Sequence, residues 1–270
     1  IGWGICSVAS SLGVLYFAQI LTGAGAGAVY GTCSGNSLKW FPDKRGLASG
    51  ATAAGFGAGA AITVIPVANM INTQGYEQAF LVFGIIQGAI IAACALFMPR
   101  AKLPPGTKIK PKVISSKKNY SQIQMVKEPL FWLIWVLFVG VASGGIMGTA
   151  SFGPVSKDYG LNKIPVTCLG VTMPLLSMAM SIDNICNGAT RPVMGYMSDR
   201  FGRENLMLVV FGGEALALLG LVFFGRSPVG FMFFAAMTFA CWGEIFSLFP
   251  SMCADTFGSK FAAGNAGTLY

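Results

Sequence analysis

LFWLIWVLFVGVASGGIMGTASF, residues 130–152, runs for 23 residues without a charged or amide side chain. Wound as an α-helix at 1.5 Å per residue it reaches about 34 Å, enough to cross a hydrocarbon layer of about 30 Å. A core helix of a water-soluble domain would show a polar face at the helical period, and this stretch has none. Working outward, six more apolar stretches of this kind are drawn, at 12–38, 46–71, 79–98, 166–197, 206–224 and 229–252. Residues 1–9 read as the end of an earlier helix and a last apolar stretch opens near 261, so the chain, which does not begin with Met, reads as a fragment cut at both ends.

The composition agrees with a chain built for lipid: 54% hydrophobic and only 10% charged residues, with 36 glycines, is foreign to soluble globular domains. The seven cysteines form no CxxC pair, lie in or beside apolar stretches and read as small hydrophobes. Histidine is absent, which removes the commonest metal ligand and pH-switch side chain. Neither a metal nor any other cofactor is expected.

Orientation follows from lysine and arginine, because short basic loops stay cytoplasmic. One alternate set of loops carries Lys39, Lys44 and Arg45, then eight basic residues between Arg100 and Lys127, then Arg200, Arg203 and Lys260. The other set holds only Lys157, Lys163 and Arg226, while Arg191 lies inside a span. The expected organisation is therefore a first group of helices over 1–98, a Lys-, Pro- and Ser-rich cytoplasmic linker over 99–128, and a second group over 129–270. The net charge of +8 does not point to nucleic acid, because the basic residues flank spans without interleaved aromatics. The lipid bilayer is the expected surrounding, with no obligate protein partner.

Gly23, Gly27, Gly31 and Gly35 recur every four residues in the first full span, and Gly46, Gly50, Ala54 and Ala58 repeat the pattern in the next. Such strips allow two backbones to approach closely, and these two spans are expected to pack on each other. The GAGAGA run is no dinucleotide fingerprint, since no strand precedes it.

The sharpest motif is GYMSDRFGRE, residues 195–204, at the expected cytoplasmic end of a span. It resembles the G-x-x-x-D-R-x-G-R signature of the major facilitator superfamily. Within it Asp199, Arg200 and Arg203, at the spacing set by Gly195 and Gly202, are expected to make charge contacts able to hold one conformer and break in the other; the plainer reading is a positive-inside loop. With LKWFPDKRGLASG (38–50), NGATRPVMGYMSDRFGREN (187–205), WGEIFSLFP (242–250) and GNAGTLY (264–270), essentially the whole chain is similar to the oxalate/formate antiporter family, from about family helix 3 to family helix 10. The resemblance implies an all-α polytopic bundle of two pseudo-symmetric halves with a site at the midplane between them. A bacterial inner membrane is the expected location, and small carboxylate anions are the expected partners.

Arg191 stands eight residues before Asp199, so roughly 12 Å from the cytoplasmic edge. A charge at that depth is costly and usually serves function, and a planar guanidinium matches a carboxylate with two parallel hydrogen bonds. The resemblance makes Arg191 the substrate-carboxylate arginine, with a second cation, a lysine, lying beyond Tyr270. The alternative is a structural ion pair with Asp183 or Glu244. The resemblance likewise gives Trp242 a cavity-lining role, with Phe246 a departure where a tyrosine is expected; Tyr30 and Phe246 are further candidates for the wall, or simple packing aromatics. Asp183, Glu214 and Glu244 are the other acids inside spans, either proton carriers or neutral partners in helix contacts.

Two transport readings follow: antiport of oxalate- and formate-like carboxylates by alternating access, or proton-coupled monocarboxylate symport through one of the three acids. A membrane-embedded enzyme would need a nucleophile, metal cluster or catalytic pair, and no such spacing is present. A receptor would need a sizeable soluble domain.

Overall fold

A computed structural model describes residues 1–99, 116, 118–168 and 170–270. Most of the 99–128 linker, with six of its eight basic positions (100, 102, 108, 110, 112 and 117), lies outside the described residues. The elements in chain order are α1 (Gly2–Cys6), α2 (Leu12–Trp40), α3 (Arg45–Gln74), α4 (Tyr76–Phe97), α5 (Gln122–Val126), α6 (Pro129–Asp158), β1 (Pro165–Cys168), β2 (Val171–Pro174), α7 (Leu175–Phe201), α8 (Arg203–Phe224), α9 (Pro228–Trp242), α10 (Ile245–Phe257) and α11 (Ala262–Leu269). Among the described residues α2, α4, α6, α8 and the run Pro228–Phe257 are long and apolar enough to cross a membrane. Helices α3 and α7, at 30 and 27 residues, have the length as well.

Local sequence explains the ends. Pro129 and Pro228 sit in the first turns of α6 and α9, where the missing N–H costs nothing, and the Ser227 hydroxyl accepts from Gly230 N at 3.0 Å. Between α7 and α8 the chain reverses on one residue, Gly202, whose φ of 92° is the left-handed region that a side chain resists.

Two expected spans need correction. The stretch 166–197 is not one helix: its first part is the antiparallel hairpin β1–β2, and α7 starts only at Leu175. Val166, Thr167 and Thr172 favour extended backbone, Gly170 turns at φ 80°, and Pro174, which has no N–H to give a preceding turn, stands directly before the start of α7. The stretch 229–252 is helical in two pieces, α9 and α10, interrupted at Gly243 and Glu244.

The glycine strips also pack differently from expectation. A Cβ added at Gly23, Gly27 or Gly31 would meet no described atom within 4 Å, whereas one at Gly46 or Gly50 would strike α7 backbone. Helix α3 is therefore seated on α7, because α7 presents Gly195 and the bare carbonyl of Arg191 at matching heights.

One apolar core joins Phe131, Ile134 and Phe138 of α6 to Leu206 and Val210 of α8 and Leu248 and Phe249 of α10. A second joins Phe152, Leu175, Leu221 and Phe231 nearer the hairpin. The outer faces carry exposed Ile85 and Ile90 on α4, Val136 on α6, and Leu216 and Phe223 on α8, the pattern of helices whose solvent is lipid.

Candidate functional site

Helix α7 carries polar residues every fourth position: Asp183, Asn187, Arg191 and Asp199, with Gly195 between the last two, and all five are buried. This stripe winds along the helix through the interior, and its members do three different things.

At mid-helix, Arg191 is 7% exposed. Its Nη1 donates to the Ala53 carbonyl of α3 at 2.8 Å, and its Nη2 donates to Asn187 Oδ1. Nε has no hydrogen-bond partner among the described residues. The guanidinium lies 4.7 Å from the centroid of the Phe246 ring, a cation–π contact. Among the described residues the ion pairs are Arg45–Asp255, Arg203–Asp199 and Arg203–Asp255, so Arg191 belongs to none. The expected alternative of an ion pair with Asp183 or Glu244 is therefore absent from the described contacts.

An aromatic wall surrounds the guanidinium. Tyr30 of α2 donates its hydroxyl to the Phe246 carbonyl at 3.1 Å, and its ring meets Phe56 at 5.5 Å and Phe246 at 6.4 Å. Trp242 meets Phe246 edge-on at 6.2 Å, and its buried Nε1 is without a hydrogen-bond partner among the described residues. Gly145 of α6 makes room for the indole, since a side chain there would overlap it. Tyr270, to which the sequence alone assigns no place in the wall, completes it against Phe246 at 6.1 Å and Tyr30 at 6.5 Å. Four candidates, Arg191, Phe246, Tyr30 and Trp242, thus converge, while the helix break at Gly243 and Glu244 sits in their midst.

Among the described residues none of the three acids forms an ion pair. Asp183 and Glu214 are buried, and among the described residues neither carboxyl oxygen of either has a hydrogen-bond partner. Glu244, wholly buried at the break, accepts the Ser247 hydroxyl on Oε2 at 2.5 Å and leaves Oε1 without a partner.

A second cluster forms at the end of the bundle that carries the basic loops. Asp199 accepts Gly46 N at 2.9 Å on Oδ1 and Leu47 N at 3.0 Å on Oδ2, and pairs with Arg203 at 2.7 Å. Arg203 also reaches Asp255 of α10 through Nε at 2.9 Å and the Ser198 hydroxyl through Nη1. Arg45 of α3 closes the loop onto Asp255 at 2.6 Å, and Ser251 Oγ donates to the Arg45 carbonyl at 3.1 Å. Of the motif residues, Gly195 lets α3 approach, Gly202 makes the turn, and Asp199 and Arg203 make contacts. Arg200 does not join: it is exposed and lies over the Tyr196 ring at 4.6 Å. Arg45 and Asp255 take the place expected of it. Sequence reasoning counted Arg45 as one more positive-inside charge and passed over Asp255; their signal, an acid and a base each close to a helix end, becomes specific only when the ends meet.

The whole chain, residues 1–270, matches the family described as Major Facilitator Superfamily. It is 35% identical over 270 residues to the oxalate:formate antiporter of Oxalobacter formigenes, covering 100% of the chain and 62% of that protein. An uncharacterized MFS-type transporter of Escherichia coli is 26% identical over 258 residues, 94% of the chain and 60% of the relative. Apicoplast pyruvate carrier 1 of Toxoplasma gondii is 24% identical over 305 aligned positions, 88% of the chain and 53% of the carrier. The chain spans less than two thirds of the length of each.

Proposed function

From the premise that this chain belongs to the Major Facilitator Superfamily, we propose that it acts in a secondary transporter exchanging small carboxylates, oxalate and formate among them, by alternating access. The observation that carries the reading is Arg191: a permanent positive charge inside a membrane helix, tied to backbone and amide oxygens and, among the described residues, with no ion pair and with Nε unpartnered against an aromatic wall. Unpaired cations in lipid are expensive, and a bound anion is the natural compensation. The O. formigenes relative, an oxalate:formate antiporter, supports the same class of cargo.

The cluster around Asp199 is the gate in this reading, on the face proposed to be cytoplasmic, closed by contacts from α3 to α7, α8 and α10. The close seat of α3 on α7 gives a prediction. A methyl group at Gly50 would overlap the Arg191 carbonyl and crowd Pro192, and overpacking of this kind costs about 1–3 kcal/mol. Gly50→Ala is expected to open the seam. The probe is a cysteine replacing the fully buried Ser251 in an otherwise cysteine-free background, and its maleimide labelling from the cytoplasmic side should speed up about tenfold, the ratio that about 1.4 kcal/mol produces. An unchanged rate would mean that this seam is not the closed gate.

A second reading, proton-coupled carboxylate symport, rests on the unpartnered carboxyl oxygens of Asp183, Glu214 and Glu244. The two separate in one experiment on the full-length protein in proteoliposomes. Exchange requires formate or oxalate inside before labelled oxalate enters, at any pH gradient; symport loads buffer-filled vesicles when the outside is acidified, and that result would replace the antiport reading.

A further inference from the structure

Arg191 is held by Asn187, the first residue of the 187–205 stretch, for which the sequence alone suggests no role. Asn187 sits one turn earlier on α7, is buried, and uses both ends of its amide. Its Oδ1 accepts from Arg191 Nη2, and its Nδ2 donates to the Phe239 carbonyl of α9 at 3.1 Å. One residue before Arg191, the Thr190 hydroxyl donates to the Ala240 carbonyl at 3.0 Å. Both acceptors belong to the last turn of α9, the turn that bears Trp242. Just past it, Gly243 leaves space for the Asn187 amide: a Cβ there would stand 2.8 Å from the Asn187 carbonyl oxygen and 3.0 Å from Nδ2.

We propose that Asn187 is a positioning residue for the carboxylate site: its amide fixes the plane of the Arg191 guanidinium and locks it to the helix end carrying Trp242, so that cation and aromatic wall are presented together. The proposal rests on the carboxylate reading of Arg191. The physical reason lies in the guanidinium itself. It has five donors in a rigid fork, and a bidentate grip on a carboxylate needs that fork aimed before the anion arrives. Phe246 restrains the ring face, Ala53 O holds Nη1, and Asn187 holds Nη2, which leaves the Nε edge for the substrate. An amide suits the position because it supplies an acceptor to the cation and a donor to the carbonyl without charge. An aspartate would keep the shape and the acceptor but would pair with Arg191 and compete with the anion.

That last point separates positioning from packing. In the full-length protein, Asn187→Leu removes the grip on Nη2 and is expected to raise the KM for oxalate about tenfold, the loss of one hydrogen bond to a charged group, with Vmax per folded molecule nearly kept. Asn187→Asp, closest in shape, is expected to be the worse of the two, because its carboxylate occupies Arg191. Equilibrium binding of oxalate and of formate, measured beside transport, follows the same order. If the amide only joined α7 to α9, Asp would be the milder change, and both variants would lose folded protein while the KM stayed within twofold of the parent; that outcome overturns the proposal. Arg191→Gln run in parallel tells the two failures apart. If it abolishes binding while the Asn187 variants keep the parental KM, only the positioning role falls. If it binds like the parent, or the parent binds neither anion, the carboxylate reading falls and the role of Asn187 with it.

Discussion

Arg191→Gln is expected to abolish oxalate/formate exchange, by at least a hundredfold, while leaving the protein folded. A bidentate guanidinium–carboxylate grip is two charge-assisted hydrogen bonds, each contributing about 1.5–3 kcal/mol, so losing both removes two or more powers of ten in affinity. Folding is expected to survive because, among the described residues, Arg191 forms no ion pair whose loss would break a direct acid–base contact. Glutamine can still donate to Ala53 O or Asn187 Oδ1, the two acceptors the guanidinium leaves behind. Arg191→Lys is expected to fall between, keeping the charge but losing the planar fork and its stacking on Phe246. Labelled-oxalate exchange in formate-loaded vesicles reads the first effect, and the melting temperature of the purified variant in detergent reads the second. Undiminished exchange by the glutamine variant would sink the assignment. A variant that fails to fold would instead show that Arg191 is a structural cation whose partner lies elsewhere in the full-length protein.

Arg191 was legible in the sequence because a charge within an apolar run is rare, and depth follows from counting residues to the nearest loop. The helices were legible for a related reason: in lipid, length and apolarity nearly determine where backbone must be helical. The hairpin before α7 was hidden because residues 165–174 are as apolar as a helix, although Thr167, Thr172 and the turn at Gly170 carried the contrary signal. The break between α9 and α10 had no proline to announce it; Gly243 is seated against Asn187, 56 positions away, and that is tertiary information. The same holds for the gate cluster. Arg45 and Asp255 are 210 residues apart in sequence, so each looked like an ordinary charge at a helix end. Arg200, adjacent to a gate acid and part of the motif, looked the better candidate, yet its position on α7 turns it outward.

The gate makes the second large prediction. Helix α3 begins at Arg45 with no cap of its own: Lys44 offers its first turn no side-chain acceptor, and no acid lies within that turn. The free N–H groups of Gly46 and Leu47 are satisfied instead by Asp199 of α7, which places a carboxylate at the positive end of the α3 dipole and binds Arg203 as well. Seam closure and helix capping are thus one interaction, and opening the seam uncaps α3. Asp199→Ala leaves two backbone donors without a partner in the closed state and takes one of two acids from Arg203, and breaking a buried pair in this way costs about 3–5 kcal/mol. The closed state is therefore expected to lose at least a hundredfold in population relative to the open one. Exchange slows by a comparable factor, since alternating access needs both states in every cycle. Maleimide labelling at Ser251→Cys from the cytoplasmic side rises, more than in Gly50→Ala. Asp199→Asn keeps one acceptor oxygen without the charge and falls between Ala and the parent. Charge alone would predict that moving the acid one methylene outward, Asp199→Glu, is harmless; a cap that must meet two adjacent N–H groups at 2.9 and 3.0 Å predicts substantial loss, and retention of parental exchange and labelling by the glutamate variant would remove capping from the account of the gate.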